Sequence, residues 1–249
     1  MSRKDGKFDF KRFSVAHTRS SMKVGVDGVL VALWSELPEA GNILDVGCGC
    51  GVISLICAQR SENCATRITA IDVDIPSVEE ARENFLNSPW ADRLSVLNID
   101  FNNFETSSPG KFGLIISNPP YFDSGVEAGE SRRLTARHQG SLSPSVLIES
   151  APRLLIPGGT LSMVVPAEFV SRLESEATAV GLHLSRATSV RGHANAPVKR
   201  SLLQFKCRGV ENVEILNNEV SRDELVLEET PGIPTDAYRL IGAPFYLKF

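Results

Sequence analysis

Asn42-Ile-Leu-Asp-Val46 has the length and apolarity of a buried strand, and Gly47-Cys-Gly-Cys-Gly51 follows it at once. The stretch Val52-Ile-Ser-Leu-Ile-Cys-Ala-Gln-Arg60 then reads as a helix. Three glycines at alternate positions let the backbone approach a ligand closely and take φ values that are costly for other residues. A strand, a glycine loop and a helix in this order build an open parallel sheet, and such sheets bind ligands beyond the carboxyl ends of their strands. The spacing differs from the dinucleotide fingerprint, whose last glycine comes one residue later. A pyrophosphate favours a helix N-terminus, but Asp45 puts a negative charge beside Gly47, Gly49 and Gly51. That charge suits the ammonium of an amino-acid moiety.

Further strand ends carry chemistry at the same level. Arg67-Ile-Thr-Ala-Ile71 ends at Asp72, placed to accept both hydroxyls of a ribose. A helix is expected from about Ile75 to Asn87, with Val78, Ala81 and Phe85 on one face. Leu94 to Leu97 leads to Asp100 and Phe101, an acid for an adenine amino group beside a ring, although Asp100 alone also fits a turn. Asn102 to Lys111 reads as a loop or a single turn. Phe112 to Ile116 is a fourth strand, ended by Asn118-Pro119-Pro120-Tyr121 because neither proline donates a backbone hydrogen bond. An Asn side-chain oxygen and a proline carbonyl are both acceptors, so together they can hold the two hydrogens of an exocyclic amine. Tyr121 can stack on the planar group that bears it. Taken by itself, the motif reads first as a strand-end turn with a packed tyrosine.

Beyond Tyr121 the chain reads as a long polar loop from Phe122 to Leu142 containing Arg132 and Arg133, then a helix that Ser143 caps and Pro144 begins. Pro157-Gly-Gly reads as a turn, Thr160 to Val165 as a fifth strand and Ala167 to Val180 as a helix that Gly181 ends. Leu182 to Val190 and Ser201 to Cys207 are two final strands. Val213 to Leu216 and Leu225 to Leu227 suggest a terminal hairpin, and the aromatic end Phe245 to Phe249 packs back.

A hydrophobic share of 42% and a charged share of 22% fit an ordinary globular chain, and the net charge of -4 gives no global case for nucleic acid. The distribution of charge does. The first segment carries Arg3, Lys4, Lys7, Lys11, Arg12, Arg19 and Lys23 against Asp5 and Asp9, with Phe8, Phe10 and Phe13 between them. Basic residues alternating with aromatics suit a looped RNA, and also a tail packed on the domain. Asp27 is expected to cap the helix that follows. Between His183 and Arg208 stand Arg186, Arg191, Lys199, Arg200, Lys206 and Arg208 with no acid, which points to a polyanion; the acids from Glu211 to Asp236 are expected to face away. Five cysteines without zinc spacing and no secretory h-region point to a reducing cytoplasm and no metal. The expected organisation is a basic arm and first helix over 1–36, then one domain over 37–249.

The order of the motifs, with Asp45–Gly51 at the first strand and Asn118–Tyr121 at the fourth, resembles class I S-adenosylmethionine-dependent methyltransferases. The implied fold class is α/β and Rossmann-like, a mostly parallel seven-stranded sheet with helices on both faces. The whole chain resembles the bacterial tRNA(Val) adenine-N6 methyltransferase family, which modifies the adenine at position 37. Phe10-Lys-x-Phe13, Val15-Ala-His17, Met22-Lys-Val-Gly25 with Asp27-Gly28, Asn87-Ser-Pro-Trp90, Ile115 to Tyr121 and the terminal Phe-Tyr-Leu carry that likeness. It implies that Asp45 and the glycine loop hold the methionine part of S-adenosylmethionine, Asp72 the ribose, and Asp100 and Phe101 the adenine. Lys23, Asp27 and Asn118 stand with the cofactor. Asn118, Pro119 and Tyr121 hold the target adenine. Lys11, Arg12, Arg19, Arg132, Arg133, Arg186, Arg191, Lys199 and Arg200 contact tRNA. Asp72 stands where relatives often carry Glu. A glutamine-N5 protein methyltransferase, a guanine-N2 RNA or adenine-N6 DNA methyltransferase and a non-catalytic RNA-binding module on the same fold remain open at this stage.

Overall fold

The computed structural model describes residues 6–62, 65–107, 111–120, 142–208 and 219–249. The chain opens with a short antiparallel pair, β1 (Lys7–Asp9) and β2 (Ser14–Ala16), that leads into helix α1 (Val26–Trp34). Strands and helices then alternate through β3 (Asn42–Val46), α2 (Val52–Arg60), β4 (Ile68–Asp72), α3 (Ile75–Leu86) and β5 (Leu94–Asn98). There follow α4 (Phe101–Ser107), β6 (Phe112–Ser117), α5 (Pro144–Leu154), β7 (Leu155–Pro166) and α6 (Val170–Ala179). The chain closes with β8 (Leu182–His193), β9 (Arg200–Cys207), β10 (Ser221–Thr230), β11 (Ile233–Pro234) and α7 (Asp236–Gly242).

Among the described residues these strands form one nine-stranded sheet, in the order β11-β10-β8-β9-β7-β6-β3-β4-β5, beside the β1–β2 pair. The run from β7 to β5 is parallel, and β9 lies antiparallel between β7 and β8. The order reverses direction between β3 and β6, so a crevice opens where the carboxyl ends of those strands diverge. Every residue of β6 is buried, as a central strand covered on both faces requires. Alternation of side chains splits β3 between two cores. Ile43 joins the arm, α1, α2 and α3 on one face, and Leu44 joins the layer of Leu147, Ile148 and Leu154 from α5 on the other.

The sheet has two more strands than expected. β10 adds parallel to the outer edge of β8, and β11 turns back on β10. Leu225 is the one residue of β10 that is buried, so this edge strand lacks the alternation that marks a strand in sequence. It also replaces the expected terminal hairpin: Leu225 to Leu227 lies inside β10, and Val213 to Leu216 is outside the described residues. Residues 101–107 form a helix where a loop or single turn was expected. Asp100 accepts from the Asn102 N–H (2.8 Å), and Phe101 and Phe104 bury one face. Ala167–Phe169 is a 3-10 turn ahead of α6, and Pro157 to Gly159 is an irregularity within β7. Gly25 occupies the N-cap of α1, and Asp27 lies inside its first turn. Ser143 caps α5 as expected, accepting from the Val146 N–H.

The arm lies against the domain. Phe10 stacks on Phe13 (4.6 Å between centroids) and on Tyr246 (5.9 Å), Phe13 meets Trp90 edge-on, and the Lys11 N–H donates to the Phe245 carbonyl (2.8 Å). No helix among the described residues is long and apolar enough to cross a membrane.

Candidate active site

Three strand ends converge at the crevice. Asp45 sits between Ala70 of β4 and Ile116 of β6 in register, and Ser117 Oγ donates to the Val46 carbonyl (2.7 Å), tying β6 to β3 where both strands stop. The Gly47 and Cys48 N–H groups both donate to the Ile71 carbonyl (2.9 and 3.1 Å), which folds the loop back over the end of β4. Gly47, Gly49 and Gly51 have φ of 70°, 52° and 82°. At Gly51 a side chain is excluded twice, by that backbone conformation and because a Cβ would lie 2.5 Å from the Phe85 ring.

Asp45 is fully buried. Its Oδ2 accepts from Ser54 N–H (3.1 Å) and Oγ (2.6 Å), whereas Oδ1 is buried without a hydrogen-bond partner among the described residues. Burial pushes the carboxyl up to about 7, against the pull of the Ser54 bonds. An orphaned buried carboxylate oxygen calls for a donor, and an ammonium is the donor that also restores the charge balance. Asp72 Oδ2 accepts from the Gly49 N–H (2.8 Å) and Oδ1 from the Asp74 N–H (2.9 Å). Burial raises the Asp72 carboxyl, and those backbone bonds oppose the rise. The residues present thus fit a cofactor with an amino-acid end and a ribose.

Asp100 stands two residues beyond the end of β5, with Oδ1 accepting from both the backbone and the side-chain N–H of Asn102 (2.8 and 2.9 Å), so it also caps α4. Phe101 is buried in the core beside Asp100. Asn118 is half-buried and Pro119 buried at the end of β6, and a Cβ built on Gly28 would lie 3.9 Å from Asn118 Nδ2. The start of α1 therefore forms the wall beside Asn118. Lys23 is exposed ahead of that helix, and the Asp27 carboxylate is ion-paired with Arg200. Tyr121, Arg132 and Arg133 lie outside the described residues.

The basic residues are less available than their spacing suggests. Arg186 pairs with Asp223 (3.3 Å) and lies over the Trp34 ring (4.6 Å), and Arg191 pairs with Glu224 (2.6 Å). The acids of β10 were expected to face away; parallel pairing with β8 instead sets Asp223 opposite Thr188 and Glu224 opposite Ser189. Arg12 pairs with Glu62 (2.7 Å), Arg19 with Glu83, and Lys11 Nζ donates to the Ala243 carbonyl (2.6 Å). Lys199 is exposed.

Sequence reasoning passed over Ser54, Glu80, Asn84 and Ser20. Ser54 carries one signal, polarity between the apolar Ile53 and Leu55, whereas Ser20, Glu80 and Asn84 each have a charged residue beside them and nothing local marks them.

The family model described as "Methyltransferase small domain" matches residues 21–175. Among solved structures, the T. thermophilus 16S rRNA N2 G1207 methyltransferase in complex with AdoMet and guanosine superposes with a TM-score of 0.54. The identity is 18%, over 81% of this chain and 50% of that one. A methyltransferase from Pyrococcus furiosus gives 0.52 at 23% identity, over 73% and 82%. These likenesses give the class I methyltransferase fold. Nearer in sequence is a tRNA1(Val) (adenine(37)-N6)-methyltransferase of Phocaeicola vulgatus, 40% identical over 97% of both chains. One of Serratia proteamaculans is 36% identical over 98% of this chain and 91% of the relative. With that identity spread along nearly its full length, and the glycine loop and Asn118-Pro119-Pro120 at neighbouring strand ends, this chain belongs to the tRNA1(Val) (adenine(37)-N6)-methyltransferase family.

Proposed function

We propose that this chain methylates the exocyclic N6 of an adenine in tRNA, at position 37 of tRNA(Val), with S-adenosylmethionine as donor. The observation that carries the reading is the adjacency of two half-sites. Asp45, with an unpartnered buried oxygen beside three left-handed glycines, stands one strand from Asn118. S-adenosylmethionine supplies an electrophilic methyl group on a sulfonium. Asp45 receives the ammonium, Asp72 the ribose hydroxyls and Asp100 the adenine amine of the cofactor. Asn118 Oδ1 and the Pro119 carbonyl accept the two hydrogens of the target amine and turn its lone pair out of conjugation, and Tyr121 stacks on its ring. The lone pair of the target amine forms the N–C bond as the methyl–sulfonium bond breaks, sulfur leaves as a neutral thioether, and the methylated amine gives its surplus proton to water. The protein's part is therefore positioning, and the transfer needs neither a metal nor a protein nucleophile. An adenine in a loop turns out at less cost than one in a duplex.

The exposed Lys199 and the arm residues Lys11, Arg12 and Arg19 are the proposed phosphate contacts, with Arg132, Arg133, Arg186, Arg191 and Arg200 as further candidates. The cytoplasm is the proposed location, because unfinished tRNA is there. Incubation with labelled S-adenosylmethionine and unmodified tRNA, followed by nucleoside analysis, is expected to give labelled N6-methyladenosine from tRNA(Val) alone. Label in N2-methylguanosine, or in protein glutamine, would overturn the assignment.

A further inference from the structure

Ser77, Glu80 and Asn84 stand at i, i+3 and i+7 on α3, so they share one face, and all three are buried. A buried polar stripe must be satisfied by something. Here the partners come almost entirely from the arm and the loops around the crevice. Glu80 Oε1 accepts from the Thr18 N–H (2.7 Å), the Thr18 hydroxyl (3.0 Å) and the Arg19 N–H (3.1 Å), and Oε2 accepts from the Ser20 N–H (2.8 Å). Asn84 accepts from the Ala16 N–H and donates to the carbonyls of Ala16 and Cys50, each at 2.9 Å. Ser77 Oγ lies 3.1 Å from Ser20 Oγ, and Ser77 N–H donates to Asp74, whose own N–H donates to Asp72. The circuit closes at Gly49, whose N–H donates to Asp72 and whose absent Cβ would lie 3.4 Å from Ser20 Oγ.

The arm is therefore a wall of the cofactor crevice, and α3 grips it. We propose that Glu80 is a positioning residue for the cofactor: by holding three consecutive amides of the arm it keeps Ser20 against the glycine loop and sets the affinity for S-adenosylmethionine. This rests on the reading that Asp45, the glycine loop and Asp72 hold that cofactor. A carboxylate is needed because four donors converge on two oxygens. In Glu80→Gln the amide nitrogen meets an N–H that it cannot accept from. Coupling of this kind is reciprocal, so the cofactor in turn orders the arm.

Calorimetry with S-adenosylmethionine and S-adenosylhomocysteine on wild type, Glu80→Gln and Ser20→Ala tests this, together with hydrogen exchange at Thr18, Arg19 and Ser20. Glu80→Gln is expected to raise the Kd about tenfold while kcat at saturating cofactor stays within about threefold. In the wild-type protein, S-adenosylhomocysteine is expected to slow exchange at the three amides, a readout that needs no variant to fold. Unchanged Kd in both variants, or exchange that ignores the ligand, would overturn the role of Glu80 while leaving the cofactor site intact. Wild type that binds neither ligand would instead remove the reading beneath it.

Discussion

Asp45 has one oxygen held by Ser54 and one without a hydrogen-bond partner among the described residues, the one proposed to take a ligand's ammonium. Its carboxyl is raised by burial from 3.8 to about 7. A raised folded-state pKa contributes stability that is full below the unfolded value and is lost as pH rises through the folded one, so ligand-free protein loses stability between about pH 4 and 7. The ligand reverses the preference, because an ammonium binds the ionised form. Affinity for S-adenosylmethionine is therefore expected to climb by at most about tenfold per pH unit and to level near pH 7, with Asp45→Asn binding weakly and without that slope. Calorimetry across this range checks both limbs. Glu80 carries the opposite sign. Burial raises its carboxyl, the arm's N–H groups outweigh burial, and the net value lies below 4.5. Its contribution is present above 4.5 and is lost as pH falls through the lowered value, so Glu80→Gln should flatten the acid limb of a stability–pH curve. Asn118 is proposed to act in the transition state. Asn118→Ala is expected to lower single-turnover methyl transfer by about 10²–10³, the scale of one preorganised polar contact, with cofactor and tRNA affinities nearly unchanged. Wild-type turnover in that variant would remove Asn118 from the reaction.

At the scale of elements, α3 packs against the glycine loop through Phe85, Ala81 and Asn84. A methyl group at Gly51 enters the space of the Phe85 ring at 2.5 Å in a left-handed backbone. Gly51→Ala is expected to destabilise by about 2–5 kcal/mol, combining backbone strain with overpacking, or roughly 5–15 °C in Tm. Thermal melts measure it. The β8–β9 edge has a different lesson. Arg186, Arg191 and Arg200 already face Asp223, Glu224 and Asp27, so much of their charge is spent within the fold. Lys199 is exposed and is therefore the better candidate for the proposed phosphate contact. Lys199→Ala is expected to reduce the salt slope of tRNA binding by about one, and Arg191→Ala to leave it nearly unchanged. Equal effects of the two substitutions would mean that the ion pairs open when RNA binds.

Over the whole molecule, the arm around Phe10 meets the C-terminal segment. The isolated bridge between Phe10 and Tyr246, the Lys11–Phe245 backbone bond and the stack of Phe10 on Tyr246 lock the arm to the C-terminal turn. The same arm reaches the glycine loop through Ser20 and passes into α1, whose Gly28 borders Asn118. Removing the anchor should be felt at a distance. Phe10→Ala is expected to cost about 3–5 kcal/mol and to speed tryptic cleavage at Arg19 and Lys23, both measurable by denaturation and a digestion time course.

The chemistry-bearing ends of β3, β4 and β6 were legible in the residues themselves. A strand followed by Asp-x-Gly-x-Gly-x-Gly, an acid at the next strand end and a double proline after a third are local signals, each complete within a few neighbouring positions. The cap at Ser143 was legible for the same reason. Tertiary structure alone decided that β10 docks parallel to β8, where its sequence carries no alternation, and that its acids neutralise Arg186 and Arg191 from 37 and 33 positions away. It alone paired Arg200 with Asp27 across 173 positions and closed Glu80 on amides 60 to 62 positions upstream. Charge and polarity are properties of a residue, but neutralisation and satisfaction are properties of a pair. Pairs this far apart exist only once the sheet has brought them together.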